Sequence, residues 1–350
     1  MAVREADYGS PLPDRYQLSH GPSGVRQEVL IETLAALAQA AGDDAARPTA
    51  GRYHELARQN LARWAQQAPP PPIAMRVLVL PGDWGEVTHR LTKEYGVTFA
   101  SLNMANAFGP GGGYTHGMVA QEENMFRRTD CHFSLVRGRD TDPFGDRYLP
   151  HMTERLNACA EDGFVYLDTE SPRVCVRGPE DRSRPDLGYE WLTEDEVFPF
   201  FELRAAAVDL RRGLRFDEEE TARRVGAQLD TLINAGVRHA VLSAFGCGAF
   251  LNPAGPVAAI YRRELGRRAR HFDVVAFGIF NAGYGPDNFT PFEATFEDWP
   301  DGAEVDDGAG DGAGDAGCAG AGGDEGAETK GAPPPPASPG APAAGEGVHG

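Results

Sequence analysis

Cysteine pairs, long apolar runs and positive charge are all scarce in this 350-residue chain. The five cysteines, Cys131, Cys159, Cys175, Cys247 and Cys318, are scattered and form no Cys-x-x-Cys pair. That spacing argues against a disulfide framework or a zinc site, and reduced thiols are expected. No apolar run approaches the roughly 20 residues that span a bilayer. The opening MAVREADYGS lacks the apolar stretch of a secretion signal. The expectation is an intracellular protein with no membrane partner, cytoplasmic, or nuclear in a eukaryotic source. Lys and Arg number 33 against 52 Asp and Glu, a net charge of −19. Residues 301–350 hold ten of the acids and one lysine, a charge of −9, which leaves −10 on the first 300. An acidic body excludes a general nucleic-acid-binding surface, which needs a basic field. An anionic ligand would have to be held by local donors.

Punctuation along the chain divides it. Residues 1–24 read as a loose, flexible N-terminus. Apolar residues at helical spacing in GVRQEVLIETLAALAQAAG and AGRYHELARQNLARWAQQ predict two helices, the second stopped by the prolines at 69–72. These form a helical extension over 25–72. From 73 to 299 the pattern alternates: AMRVLVLPG, VTFASLNM, VRHAVLSAF and FDVVAFGIF read as buried strands. DWGEVTHRLTKEYG, DEEETARRVGAQLDTLINAG and PAGPVAAIYRRELGRRAR read as helices, the last with Asn252 as N-cap and Pro253 as first helical residue. FVYLDTE and PRVCVRG suggest two strands inside an otherwise opaque segment, 138–195. FFELRAAAVDL is a strand or an apolar helix, since periodicity does not separate them. Alternating strand and helix implies an α/β sheet covered on both faces. The stretch from 300 to 350, nearly all Gly, Ala, Asp and Pro, lacks the apolar surface to offset ordering entropy and reads as a disordered acidic tail.

In such sheets ligands sit at the carboxyl ends of strands. Two glycine loops belong at that edge, because each follows a strand and precedes a helix. The first, GPGGGYTHGMVAQEENMF, sets Gly111, Gly112 and Gly113 shortly before Gln121, Glu122 and Glu123. Three glycines permit left-handed dihedrals and close approach of a ligand to the main chain, whose amides can hold sugar or phosphate oxygens. Neighbours on a helix point about 100° apart, so Glu122 and Glu123 cannot address one bond equivalently. One can hold hydroxyls while the other serves a glycosidic bond as general acid and then base. A helix N-terminus favours the ionised carboxylate and a second carboxylate opposes it; the balance is open at this level. Asn103 and Asn106, at the end of the preceding strand, either bind a ligand or cap the loop. His116 reads as exposed.

The second loop, SAFGCGAFLN, brackets Cys247 with Gly246 and Gly248 and offers amides to an anion, or is a plain tight turn. It is neither a P-loop nor a dinucleotide fingerprint. A nucleophilic Cys247 lacks a nearby histidine in sequence. Phe280 ends the last strand, where a ring stacks on a base or, as the pattern favours, packs in the core.

LNMANAFGPGGGYTHGMVAQEE resembles the signature of the poly(ADP-ribose) glycohydrolases, especially their compact bacterial-type branch: a triple glycine, a short spacer (here Tyr114 to Ala120) and Gln-Glu-Glu. VLSAFGCGAFLNPAGPVAAIY resembles that family's diphosphate loop and following helix, and the helices before residue 70 resemble its N-terminal extension. The likeness spans 25–297, strongest at the two motifs and weakest over 138–195. It implies a macrodomain-like mixed β-sheet sandwiched between helices as the catalytic domain, 73–299. It implies hydrolysis of ribose–ribose O-glycosidic bonds by Glu123, with Glu122 holding ribose hydroxyls. Gly111, Gly112 and Gly113 would pack on the ribose and diphosphate beside Gln121, with Asn106 at the distal ribose. Gly246, Cys247, Gly248, Ala249 and Phe250 would wrap the diphosphate, and Phe280 would lie near the adenine. No metal or other cofactor is implied. The implied partners are poly(ADP-ribose), ADP-ribose and ADP-ribosylated proteins, for a monomer. The rival readings are a non-catalytic ADP-ribose-binding module and a hydrolase of mono-ADP-ribosylated protein or nucleic acid.

Overall fold

Two helices precede the sheet: α1 (Pro22–Ala41) and α2 (Arg52–Ala65), the latter ending just before the proline run. The computed structural model describes residues 18–41, 51–281 and 285–300. Most of the loose segment expected at 1–24 and nearly all of the tail expected from 300 lie outside the described residues. After the prolines come β1 (Arg76–Pro81), α3 (Trp84–Tyr95) and β2 (Ala100–Met104). The boundaries of α3 are local chemistry. The Asp83 carboxylate accepts from the amides of Gly85 and Glu86, and the Glu86 carboxylate accepts from the Asp83 amide. Gly96, in the left-handed conformation, ends the helix. The first glycine loop leads into α4 (Gln121–Arg128), followed by α5 (Pro150–Leu156), β3 (Tyr166–Cys175) and β4 (Phe198–Ala205). The chain closes with α6 (Glu218–Asn234), β5 (His239–Leu242), α7 (Ala254–Arg268), β6 (Val274–Ile279) and α8 (Phe289–Phe296).

The six strands lie in the order β1-β6-β5-β2-β4-β3. Every neighbouring pair is parallel except β3 with β4. The two strands expected from FVYLDTE and PRVCVRG run together as one, β3, whose register on β4 shifts between Asp168 and Arg173. Of the two readings of FFELRAAAVDL the strand is the one realised: β4 carries Glu202 and Arg204 buried inside the sheet.

Alternate residues of each central strand serve opposite layers. Val275, Phe277 and Ile279 of β6, with Leu102, Leu203 and Leu242, pack under Leu229, Ile260 and Phe292 from α6, α7 and α8. Val274 and Ala276 turn to the other side, against Val87 and Leu91 of α3. On that side Phe198 and Phe200 of β4 meet Trp64 of α2, Leu34 of α1 and Phe126 of α4. Because β1, β6, β5, β2 and β4 run the same way, the segments leaving β2, β4, β5 and β6 emerge at one edge. Both glycine loops are there.

Candidate active site

The amides of the first loop turn toward the protein's own carboxylates. The Asn106 amide donates to Glu122 Oε2 at 2.8 Å and the Gly111 amide to Glu122 Oε1 at 3.1 Å. The Gly113 amide donates to Glu123 Oε1 at 2.9 Å. The Gly112 amide closes a turn on Gly109 O at 3.0 Å. All three glycine amides are therefore engaged within the protein. The amides of Asn106, Gly111 and Gly113 grip Glu122 and Glu123, which converge on Gly112: a Cβ there would lie 2.4 Å from Glu123 Oε1 and 3.1 Å from Glu122 Oε2. Gly112 also has φ +58, a conformation that disfavours side chains. The glycine is needed so that two carboxylates can close on bare backbone.

Both acids are buried, Glu122 at 3% and Glu123 at 8% exposure. Burial, and then the charge of Glu123, push the Glu122 carboxyl well above the usual range, against the pull of the Asn106 amide and Arg204. For Glu122, desolvation outweighs the helix dipole that would favour ionisation. Glu123 differs in its partners. Its Oε1 has the Gly113 amide, but its buried Oε2 has no hydrogen-bond partner among the described residues.

The surroundings hold this pair in place. The Gln121 carboxamide extends β2 like a further strand residue: Oε1 accepts from Met104 N at 2.9 Å and Nε2 donates to Leu102 O at 2.6 Å. Asn106 caps its loop, accepting from the amides of Phe108 and Gly109. Asn103 lies fully buried and donates to Glu202 Oε1 at 2.8 Å. Arg204 grips both oxygens of Glu202 and donates to Tyr148 Oη at 3.0 Å, and its guanidinium lies 6.0 Å from the Phe126 ring of α4. Arg204 thus places a buried charge against α4, on β4 where the sequence shows an apolar run. From α1, Gln27 donates to Thr115 O at 2.9 Å and so clasps the loop itself. Arg127 Nη1 donates to Met118 O at 2.9 Å and its Nε to Tyr189 Oη at 3.0 Å. Tyr189 donates in turn to Glu180, which Arg26 of α1 also binds at 2.8 Å. Burial alone would raise the Glu180 carboxyl, but Arg26, Tyr189 and Arg182 bring it down to about 2. His116 is exposed, as its sequence position suggests.

The second loop is built differently. The amides of Cys247, Leu251 and Asn252 close turns within it, onto Ala244 O, Gly248 O and Gly246 O. Those of Gly246, Gly248, Ala249 and Phe250 have no partner among the described residues. Four donors at a strand-to-helix turn can receive an anion. Asn252 is not the expected N-cap. Pro253 occupies that position, and the Asn252 amide group donates to Val208 O at 2.8 Å and Gly246 O at 3.1 Å. It ties the loop to the segment that follows β4, which has no local sequence signature. The Cys247 thiol is buried, and desolvation pushes it up to about 12, which removes it as a nucleophile. Phe280 is 47% exposed rather than packed in the core, with the Arg182 guanidinium 5.7 Å from its ring.

Sequence reasoning missed Gln27 and Arg204. Both act through contacts distant in sequence, which no local pattern reports.

Residues 38–176 match the family model of the microbial-type PARG catalytic domain, a stretch that includes the triple glycine and the Gln-Glu-Glu triplet. No curated protein sequence matches the chain. Among solved structures it is similar to the poly(ADP-ribose) glycohydrolase of Thermomonospora curvata, at 22% identity and a TM-score of 0.54, over 77% of this chain and 99% of that one. The same enzyme bound to the inhibitor ADP-HPD aligns over the same shares at 22% identity, with a TM-score of 0.52. At that identity the structural likeness speaks for the fold, and the family match speaks for the first loop. The chain has a macrodomain-like α/β fold similar to that of a bacterial poly(ADP-ribose) glycohydrolase, and its residues 38–176 match the family model of the microbial-type PARG catalytic domain.

Proposed function

We propose that this protein hydrolyses ribose–ribose O-glycosidic bonds of poly(ADP-ribose) and releases ADP-ribose, with Glu123 as general acid and then general base. One observation carries the choice of acid: Glu123 Oε2 is buried and unpartnered, whereas both oxygens of Glu122 are held by backbone amides. A glycosidic oxygen placed beside Oε2 would satisfy that atom. In the first half of the reaction the Glu123 carboxyl gives its proton to the departing ribose oxygen. In the second it takes a proton from the water that adds to the anomeric carbon. Glu122 retains lone pairs beyond its two amide bonds and can accept from ribose hydroxyls. The open amides of the second loop suit the diphosphate, which explains how an acidic protein binds a polyanion without a basic surface.

Release of free ADP-ribose from purified polymer, compared between the protein and Glu123→Gln, tests this. The expected result is release by the first, and a fall of about 10²- to 10⁴-fold in the variant, with ADP-ribose still bound in calorimetry. Binding without release by either protein would make the site a reader of ADP-ribose and refute the assignment.

A further inference from the structure

The four open amides of the second loop carry no formal charge. Any diphosphate bound there brings negative charge, so a cation at this place has a clear electrostatic use. Arg204 is buried, and its Nε, Nη1 and Nη2 all donate within the protein. Arg211 is also paired with a carboxylate, Asp209, but it is half exposed and uses only Nε and Nη2. It stands in a short 3-10 turn, Leu210–Arg212, that follows β4 and leans on the second loop: the Leu210 amide donates to Phe250 O at 3.1 Å. Its guanidinium lies 5.0 Å from the centre of the Phe250 ring. Asp209 fixes it there through two bonds, to Nε at 2.8 Å and Nη2 at 2.7 Å. Nη1 has no partner among the described residues, and the side chain is 51% exposed. Its charge also reaches Glu123. A stacked, carboxylate-oriented guanidinium with one end open suits a phosphate oxygen.

We propose that Arg211 contacts the diphosphate of the bound ADP-ribosyl unit, supplying beside Phe250 the positive charge that the amides of Gly246, Gly248, Ala249 and Phe250 lack. The inference rests on the function proposed above and adds a residue to its binding site. Asp209 is then a positioning residue: it keeps the guanidinium on the ring and leaves Nη1 toward the ligand.

Calorimetric titration of the full chain and of Arg211→Ala and Arg211→Lys, with ADP-ribose and with adenosine as probes, tests it. Arg211→Ala is expected to weaken ADP-ribose about tenfold and to flatten the dependence of its Kd on salt. Adenosine, which has no phosphate, should bind all three proteins alike. Arg211→Lys should fall between, since it keeps the charge but not the stacked fork. With polymer as substrate the loss should appear in KM rather than kcat. Equal ADP-ribose affinity in Arg211→Ala and the unaltered chain overturns the inference, as does an equal loss for adenosine, which would mark a structural role through Phe250. Failure of the unaltered chain to bind ADP-ribose overturns the proposed function itself and this inference with it.

Discussion

The two glycine loops occupy equivalent places, each leaving a parallel strand and entering a helix, yet they use their backbone in opposite ways. In the first, amides of the loop hold the carboxylates of Glu122 and Glu123. In the second, four amides have no protein partner among the described residues, and the loop is tied to the segment after β4 by its own Asn252, which donates to Val208 O, and by the Leu210 amide, which donates to Phe250 O. One loop is closed on its own acids and the other is open to an anion. A glycine-rich turn therefore does not announce a ligand: what matters is whether acceptors within the fold have already taken its donors. The division suits the proposed reaction, in which the acids must be rigid and the anion must come and go.

Substitution at Gly112 should break the first loop most severely. Alanine there needs a left-handed backbone and puts a methyl group on Glu123 Oε1. Displacing the acid by about 1 Å is expected to lower kcat on polymer about 10²-fold, alongside a lower melting temperature. Full activity of Gly112→Ala would show that the carboxylates are not gripped as described.

A smaller effect should separate burial from the helix dipole at Glu122. Its carboxyl titrates higher in the folded protein than in the unfolded chain, because burial and Glu123 oppose ionisation. The stability this contributes is fully present below the ordinary carboxylate value of about 4.3 and is lost as pH rises through the raised folded value. Glu122→Gln cannot ionise and lacks that loss. The melting temperature of the unaltered protein, minus that of the variant, should fall as pH rises from about 4 to about 8. A difference that grows over that range would mean the amides and the helix end hold Glu122 ionised.

The smallest effect belongs to the second loop. A Cβ on Gly248 meets nothing within 4 Å and its backbone is not in the left-handed region. Gly248→Ala should leave the melting temperature within about 2 °C in a thermal-shift assay, in sharp contrast with Gly112→Ala. A large drop would show that the second loop is packed rather than open.

Much of this architecture is visible along the chain. β1 and β6 are short apolar runs with turn signals at their ends, and α6 carries acids in its first turn and an apolar face. The start of α4 at Gln121 falls where the acidic triplet suggests it. Each depends on neighbours within a few residues, which is the range over which periodicity and capping act. β4 is ambiguous in sequence because periodicity does not separate a strand from an apolar helix; inside the sheet Glu202 and Arg204 pair with each other, with Arg173 and Asn103 as further partners. Asn252 likewise escapes local reading: an Asn before Pro looks like a cap, but its side-chain amide reaches Val208, which lies 44 positions earlier.

Residue spacing alone was thus enough to bring two glycine loops and a pair of acids to one sheet edge. It left open which acid is free and which amides are open. Those are questions of who donates to whom across a folded surface. Glu123 Oε2 is unpartnered because the Gly113 amide reaches only the other oxygen. Arg211 meets Phe250 because β4 and β5 flank β2 and deliver their loops side by side. Hydrogen bonds and desolvation are set by atoms brought within about 3 Å, and residues far apart along a chain come that close only once the sheet has formed.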